Sequence, residues 1–335
     1  MEMPKEPPAM GPAAPPTMPQ PTGPHFERLI GASPPMLDVY QKILQAAASD
    51  VSVLLLGETG TGKDLAAQAI HARSARRNGP YVPVNLGALP AELVPSELFG
   101  HERGAFTGAT SRHPGKFEQA NGGDIFLDEI DAADPDVQVT LLRLIEQQEF
   151  QRVGGTQFNL TDARVIVASS QNLEQAVAQQ RFRPDLYYRL DVFRIELPPL
   201  RERHGDIPLL AREFLEFYNH FFRKNIAAMS TQCMHALEAH LWPGNVRELK
   251  NVIQRAVLVC NTNVVGVDHL PARFLVQETN QRKVCFEVGL RLEQIEREMV
   301  LQTLNACKNN RKQAAAVLGI SRHALYNKLA KHGIK

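Results

Sequence analysis

The chain has 335 residues, 44% of them hydrophobic and 22% charged, with a formal net charge of +1. That size allows roughly two domains of about 100–200 residues each, and the composition is ordinary for a globular protein. The balanced charge excludes a uniformly basic nucleic-acid binder, and no apolar run approaches the ~20 residues that span a bilayer. The four cysteines, Cys233, Cys260, Cys285 and Cys307, form no CxxC pair or zinc-like array, which points to buried thiols in a reducing cytoplasm.

Residues 1–24 hold nine prolines and little that could be buried, so they are expected to be a disordered, polyproline-like arm. From residue 25 to 198, apolar runs alternate with helical stretches. The runs Val51–Gly57, Tyr81–Leu86, Asp124–Ile130, Arg164–Ser169 and Val192–Leu197 read as buried parallel strands. Segments such as Lys63–Ala72 and Val137–Gln148 read as the helices between them. This alternation predicts an α/β fold with a doubly wound parallel sheet. Pro198-Pro199 ends the pattern, and 199–272 read as a smaller helical subdomain, wholly helical in appearance over 207–260. The polar stretch 273–289 reads as a linker, and 290–335 as a second all-α domain.

The first strand runs into Gly57-Glu58-Thr59-Gly60-Thr61-Gly62-Lys63-Asp64, the spacing of a phosphate-binding P-loop. Glycines let the backbone curl and aim its N–H groups at phosphate oxygens, Lys63 adds a positive charge, and the next helix adds its N-terminal partial charge. Asp64 stands where such loops usually carry a Ser or Thr hydroxyl for Mg²⁺. A second apolar strand ends in Asp128-Glu129. Asp128 is suited to hold Mg²⁺, and Glu129 to orient and deprotonate an attacking water. Arg183 and Arg189 flank a hydrophobic turn and could reach a neighbouring subunit's γ-phosphate.

The end of the chain is different. After Glu298 no acidic residue occurs, while Lys308, Arg311, Lys312, Arg322, Lys328, Lys331 and Lys335 do. A small-residue helix over Gln313–Leu318, a left-handed cap at Gly319, an N-cap at Ser321 and buried Leu325 and Leu329 have helix-turn-helix spacing. Its second helix would put Arg322, His323 and Tyr326 near base edges and Lys328 near phosphate, with Ser321 and Asn327 also at the DNA-binding surface. Upstream, Ile295, Met299 and Leu304 form a stripe suited to dimer packing.

With these motifs the chain resembles the sigma-54-dependent activators, or bacterial enhancer-binding proteins, of the AAA+ class. The most specific piece is Gly104-Ala105-Phe106-Thr107-Gly108-Ala109. The resemblance implies an AAA+ P-loop motor with a helical lid over about 26–270 and a Fis-type helix-turn-helix over 290–335. It implies ATP and Mg²⁺ as cofactors, and sigma-54, RNA polymerase and upstream double-stranded DNA as partners. A ring oligomer, from dimer to hexamer, is implied too. Phe106 and Thr107 would contact sigma-54. Asn85 would be a switch that senses the γ-phosphate through Glu129, Arg183 and Arg189 trans-acting fingers, Arg247 a sensor, and the turn at Val153-Gly154-Gly155 a support for the Phe106 loop. Two departures bear on hydrolysis: Asp64 replaces the family's Glu, and Ser169-Ser170 its Thr-Asn sensor. They motivate an alternative, a DNA-binding regulator with a degenerate P-loop. A third reading, a remodeller of an unrelated protein, is disfavoured by the 104–109 loop and the DNA end. With about 25 residues ahead of the motor, no receiver domain is expected, and control by a trans-acting regulatory protein is.

Overall fold

This computed structural model describes residues 25–275, 291–307 and 310–332. The arm expected over 1–24, most of the expected linker and Cys285 lie outside the described residues. Two compact units divide after Leu275.

The first unit is built on five strands: β1 (Val53–Leu56), β2 (Tyr81–Asn85), β3 (Asp124–Asp128), β4 (Arg164–Ser169) and β5 (Phe193–Glu196). All pair in parallel, in the order β5-β1-β4-β3-β2. Pro83, which has no N–H for a ladder, is tolerated because β2 is an edge strand. Strand side chains alternate between two apolar layers. Val53, Leu55, Phe126, Ile166 and Ile195 pack against Tyr40 and Ile43 of α1 (Pro34–Ala47) and Ala66 and Ile70 of α2 (Lys63–Arg73). Leu54, Ile125, Leu127, Val165 and Val167 pack the other way, against Leu141 and Leu144 of α3 (Pro135–Gln147) and Leu186 and Leu190 of α4 (Pro184–Leu190). Apolar on both faces, these strands show the continuous hydrophobic runs of a covered parallel sheet.

One polar cluster is sealed inside. Arg164 donates two hydrogen bonds to Asp124, at 2.7 and 2.9 Å, and a third to the Ser49 carbonyl at 2.8 Å. His71 Nδ1 lies 2.6 Å from the same carboxylate. A buried charge persists only when paired and hydrogen-bonded, and this one ties the start of β3 to β4, α2 and the end of α1.

The lid packs α5 (Asp206–Phe222), α6 (Thr231–Glu238) and α7 (Asn245–Val259) around the fully buried Trp242, Leu237, Leu249 and Ile253. Two expectations need correction here. The region is not wholly helical, because Ala228–Met229 pairs in parallel with Val264–Val265. The expected linker also starts too early. A short helix, Ala272–Leu275, belongs to the lid, since Phe274 is buried against His240 and Trp242 at ring distances of 4.8 and 5.6 Å.

The second unit packs α8 (Leu292–Ala306), α9 (Arg311–Val317) and α10 (Arg322–Lys331). Asn310 caps α9, Gly319 turns at φ 66°, and Ser321 caps α10 by accepting the Ala324 N–H at 3.1 Å. Val300, Leu304, Ala314, Ala315, Leu325 and Leu329 form its core. The stripe expected on α8 therefore splits: Leu304 faces inward onto α9 and α10, whereas Met299 stays exposed. Sequence spacing put both within one wide apolar arc; packing separates its inner edge from its outer edge.

Candidate functional site

Parallel pairing brings the C-terminal ends of β1 to β4 to one edge: Asn85 is in register with Asp128, and Ser169 with Leu56. Open α/β sheets bind ligands at such an edge. A cleft of about 590 Å³ opens there. Its polar floor contains Thr59 to Asp64, Asn85, Asp128, Glu129 and Ser170, and Arg203 and Arg247 line it from the lid side.

The loop 57–62 curls because Gly57, Gly60 and Gly62 take φ values of 151°, 82° and 101°. Thr61 is buried and its hydroxyl donates to the Glu58 carbonyl at 2.8 Å. Lys63 is buried as well, and its Nζ donates to the Gly57 and Glu58 carbonyls at 2.7 and 3.3 Å. Burial lowers its pKa against the opposing pull of Asp128. A phosphate would replace those two carbonyls with charged acceptors. The Glu58 side chain turns to Arg201 and Asn245 and does not line the cleft.

Asp128 accepts the Glu129 N–H at 3.0 Å. Desolvation raises its pKa, and the nearby Glu129 and Asp64 carboxylates add to that. Glu129 sits in the left-handed region at φ 56°, which turns the chain sharply out of β3. Its carboxylate is pressed close to Gly87, where a Cβ would collide, and accepts the Asn85 amide at 3.5 Å. Asn85 also accepts the Ala88 N–H at 2.9 Å, which fixes its rotamer. Of the two serines, Ser170 lines the cleft while Ser169 is buried and donates to Asp131 at 2.6 Å.

Arg183 and Arg189 do not line this cleft. Both are exposed, and Arg183 donates to Asp185 at 3.0 and 2.6 Å. Sequence reading missed the cleft's apolar wall, formed by Leu29, Ile30, Leu210, Phe214 and Phe217. These residues come from two distant stretches and share no motif spacing.

Residues 104–109 form a compact loop beyond the pair Gly100–His101 and His113–Pro114. Gly104 and Gly108, at φ 82° and 112°, shape it, and the Gly104 N–H donates to the Ala109 carbonyl at 2.8 Å. Ala109 is buried; Phe106 is 41% exposed, its ring steeply inclined to that of His101 with centres 5.0 Å apart. Thr107 is exposed. Behind the loop, Glu102 N–H donates to the Val153 carbonyl at 3.1 Å, and a Cβ on Gly154 would lie 2.8 Å from the Ala105 methyl. Arg152 is buried between Glu118 and Glu102, to which it donates at 2.6 to 2.9 Å.

On α10, Arg322, His323, Tyr326 and Asn327 are exposed on one side. The Arg311 guanidinium lies 5.3 Å from the centre of the Tyr326 ring. Lys328, expected near phosphate, is half-buried and paired with Glu296 of α8. Lys331 is likewise paired with Glu293, at 3.1 Å.

Comparison with known proteins fits this arrangement. Residues 29–196 match the sigma-54 interaction domain, 201–285 the AAA+ ATPase lid domain, and 291–332 the bacterial regulatory proteins of the Fis family. The chain is 42% identical over 308 residues to the regulatory protein AtoC of Escherichia coli K12, covering 90% of this chain and 67% of that one. It is 42% identical over 310 residues to the nitrogen fixation protein AnfA of Azotobacter vinelandii, covering 91% and 57%. Curated relatives are thus longer, and the chain spans 57% of AnfA and 68% of ZraR from Salmonella typhimurium. Among solved structures, NtrX from Brucella abortus in complex with ATP aligns with a TM-score of 0.70 at 33% identity, over 91% of this chain and 70% of that one. The chain belongs to the sigma-54 activator family and carries an AAA+ ATPase domain, its lid and a Fis-type helix-turn-helix.

Proposed function

We propose that this chain hydrolyses ATP in a ring of its own copies and uses the energy to remodel sigma-54-bound RNA polymerase while its Fis-type unit holds upstream DNA. The observation that carries the reading is the shared edge where Lys63, Asp128, Glu129 and Asn85 meet Arg247 of the lid. ATP is the substrate class because NtrX, alike over 91% of this chain, was solved with ATP.

Backbone N–H groups of 57–62 and Lys63 bind the phosphates. Asp128 would hold Mg²⁺. The donor set fits that ion: among the described residues no protein-only metal cage exists, and Mg²⁺ is usually held by one or two carboxylates plus phosphate and water. When bound, it offsets the charge of the phosphates. Glu129 orients a water and takes its proton as oxygen attacks the γ-phosphorus and ADP leaves. Asn85 holds Glu129 back from that water until the γ-phosphate competes for its amide. Arg183 and Arg189 of a neighbouring copy stabilise charge at the transferred group. Arg247 links that event to the lid. The 104–109 loop then presents Phe106 and Thr107 to sigma-54, braced by the 152–155 turn. Arg322, His323, Tyr326 and Asn327, positioned by the Ser321 cap, read DNA.

The test separates motor from output. Lys63→Ala and Glu129→Gln should abolish phosphate release, by about a hundredfold or more for a general base. Phe106→Ala should leave ATPase activity near wild type and abolish promoter opening by sigma-54 polymerase. Undiminished opening with the Phe106 variant would refute the proposed output.

A further inference from the structure

The lid and the phosphate loop are fastened together by three side chains that do not line the cleft, Asn245, Glu58 and Arg201. Asn245, at the start of α7, is fully buried and adopts φ 51°. Its Oδ1 accepts the Leu200 N–H at 2.8 Å. Its Nδ2 donates to Glu58 Oε2 and to the Thr59 carbonyl, both at 3.1 Å. The next amide, Val246 N–H, donates to the Gly60 carbonyl at 3.0 Å. Arg201 clamps the Glu58 carboxylate from the far side, at 2.9 and 2.6 Å. The two backbones are in van der Waals contact: a Cβ on Gly60 would stand 2.4 Å from the Gly244 carbonyl and 3.0 Å from the Arg247 Cβ.

Asn245 thus joins three chain segments: the entry to the lid at Leu200, the phosphate loop at Glu58 and Thr59, and the first turn of α7. Few other side chains could do this. The left-handed backbone favours Gly, Asn or Asp. Accepting from Leu200 while donating to Glu58 requires a neutral amide. Asp would oppose the Glu58 carboxylate, and Gly would drop every bond. A purely local cap would bond within its own helix; this side chain reaches instead to Leu200 and the phosphate loop. Arg247 lies two residues further on, in the same first turn, and its side chain does line the cleft.

We propose that Asn245 is a positioning residue for nucleotide binding and hydrolysis: it latches the lid to the phosphate loop through Glu58 and Thr59, and so presets Arg247 at the cleft before ATP arrives. The latch rests on the reading of the cleft as the ATP site and of Arg247 as its lid-side contact. Coupling between loop and lid then runs through protein hydrogen bonds, and ATP strengthens an arrangement already made. Arg201 and Glu58 keep the loop's half of the latch in place; burial does not, since both are substantially exposed.

A double-mutant cycle on the full-length chain tests this, with a fluorescent ATP analogue as binding probe and phosphate release as the second readout. Asn245→Gly keeps the backbone conformation and deletes the latch. It should weaken analogue binding by about tenfold to a hundredfold, the scale of two or three lost buried hydrogen bonds. Arg247→Ala should weaken it by a similar factor. Because one acts through the other, the double variant should lie within about threefold of Arg247→Ala alone. Glu58→Ala, approached from the exposed side of the latch, should give a smaller loss that is also absorbed by Arg247→Ala. Effects that multiply in the double variant would make Asn245 a general stabiliser and overturn the latch. An Arg247→Ala variant that binds normally would instead overturn the reading of the cleft on which the latch depends. If Asn245→Gly does not fold, the Glu58→Ala and Arg247→Ala cycle decides the matter alone.

Discussion

At the scale of single residues, Asp128 shows function working against stability. Burial raises its pKa, two neighbouring carboxylates add to that, and Lys63 and the Glu129 N–H oppose it. A carboxyl whose folded pKa is raised binds its proton more tightly folded than unfolded. Its ionised form therefore costs stability, and that cost fades as pH falls through the folded pKa. Asp128→Asn should accordingly raise the thermal midpoint of the nucleotide-free protein at pH 7, and the gain should shrink on acidification. The same variant should lose the extra stabilisation that ATP with Mg²⁺ gives the parent, since a neutral amide is a poor ligand for a hard cation. Scanning calorimetry from pH 5 to pH 8 reads both effects, and a lowered midpoint at pH 7 would contradict the assignment. The residues of this site were legible to different degrees. Lys63, Asp128 and Glu129 follow strands at fixed offsets, so chain order announces them. Asn245 and Glu58 meet across a separation of 187 residues, and nothing in a linear pattern marks that pair. The sequence segment that contains Asn245 was singled out only for Arg247.

At the scale of elements, caps and turns decide where helices begin, and they are readable because they are local. Ser321 and Gly319 were expected from residue type alone, and the cap bond and the positive φ are present. Removing the cap in Ser321→Ala should cost about 1 kcal/mol of helix stability. Among the described residues that unit has a small core, six buried side chains with Cys307, Leu318 and Ile320 packed against them. Melting followed by helical ellipticity should therefore show an earlier loss in the full-length variant, together with weaker DNA binding that cooling partly restores. Equal melting and equal affinity would show that the α10 start is held by packing alone. Strands were as readable as caps, because apolar layers on both faces force unbroken hydrophobic runs. Their ends were not. Val51 and Gly57 leave the ladder since the chain must turn into loops there. The hairpin Glu149–Gln151 with Phe158–Leu160 escaped notice because it is largely solvated and lacks a clean alternation. On α8, periodicity placed Leu304 with Met299, and only the position of α9 shows which of them is covered.

At the scale of the whole molecule, the catalytic set proposed for this chain is not assembled within one copy. Asn85, Asp128, Glu129 and Arg247 line the cleft, whereas Arg183 and Arg189 are exposed and do not. Arg183 is meanwhile occupied by Asp185. That exposed ion pair is worth little, on the order of 0–1 kcal/mol, so a phosphate can readily displace it. If each active site is made from two copies, two dead variants should revive each other. Lys63→Ala lacks a working phosphate loop but keeps its fingers. Arg183→Ala keeps the loop but lacks a finger. In a ring assembled from equal amounts, a competent interface needs an Arg183→Ala copy giving the cleft and a Lys63→Ala copy giving the finger. Random mixing makes about one interface in four competent, so roughly a quarter of wild-type phosphate release should return, if interfaces act independently and one finger supplies its usual 10³-fold or greater effect. Neither variant alone should recover at any concentration. Activity of the mixture no greater than the sum of its parts, under conditions where light scattering shows mixed assemblies, would mean that the arginine serves its own chain. The isolated subunit would then have to bring α4 round to its own cleft, a displacement that its buried Leu186 and Leu190, packed in the sheet's core, oppose.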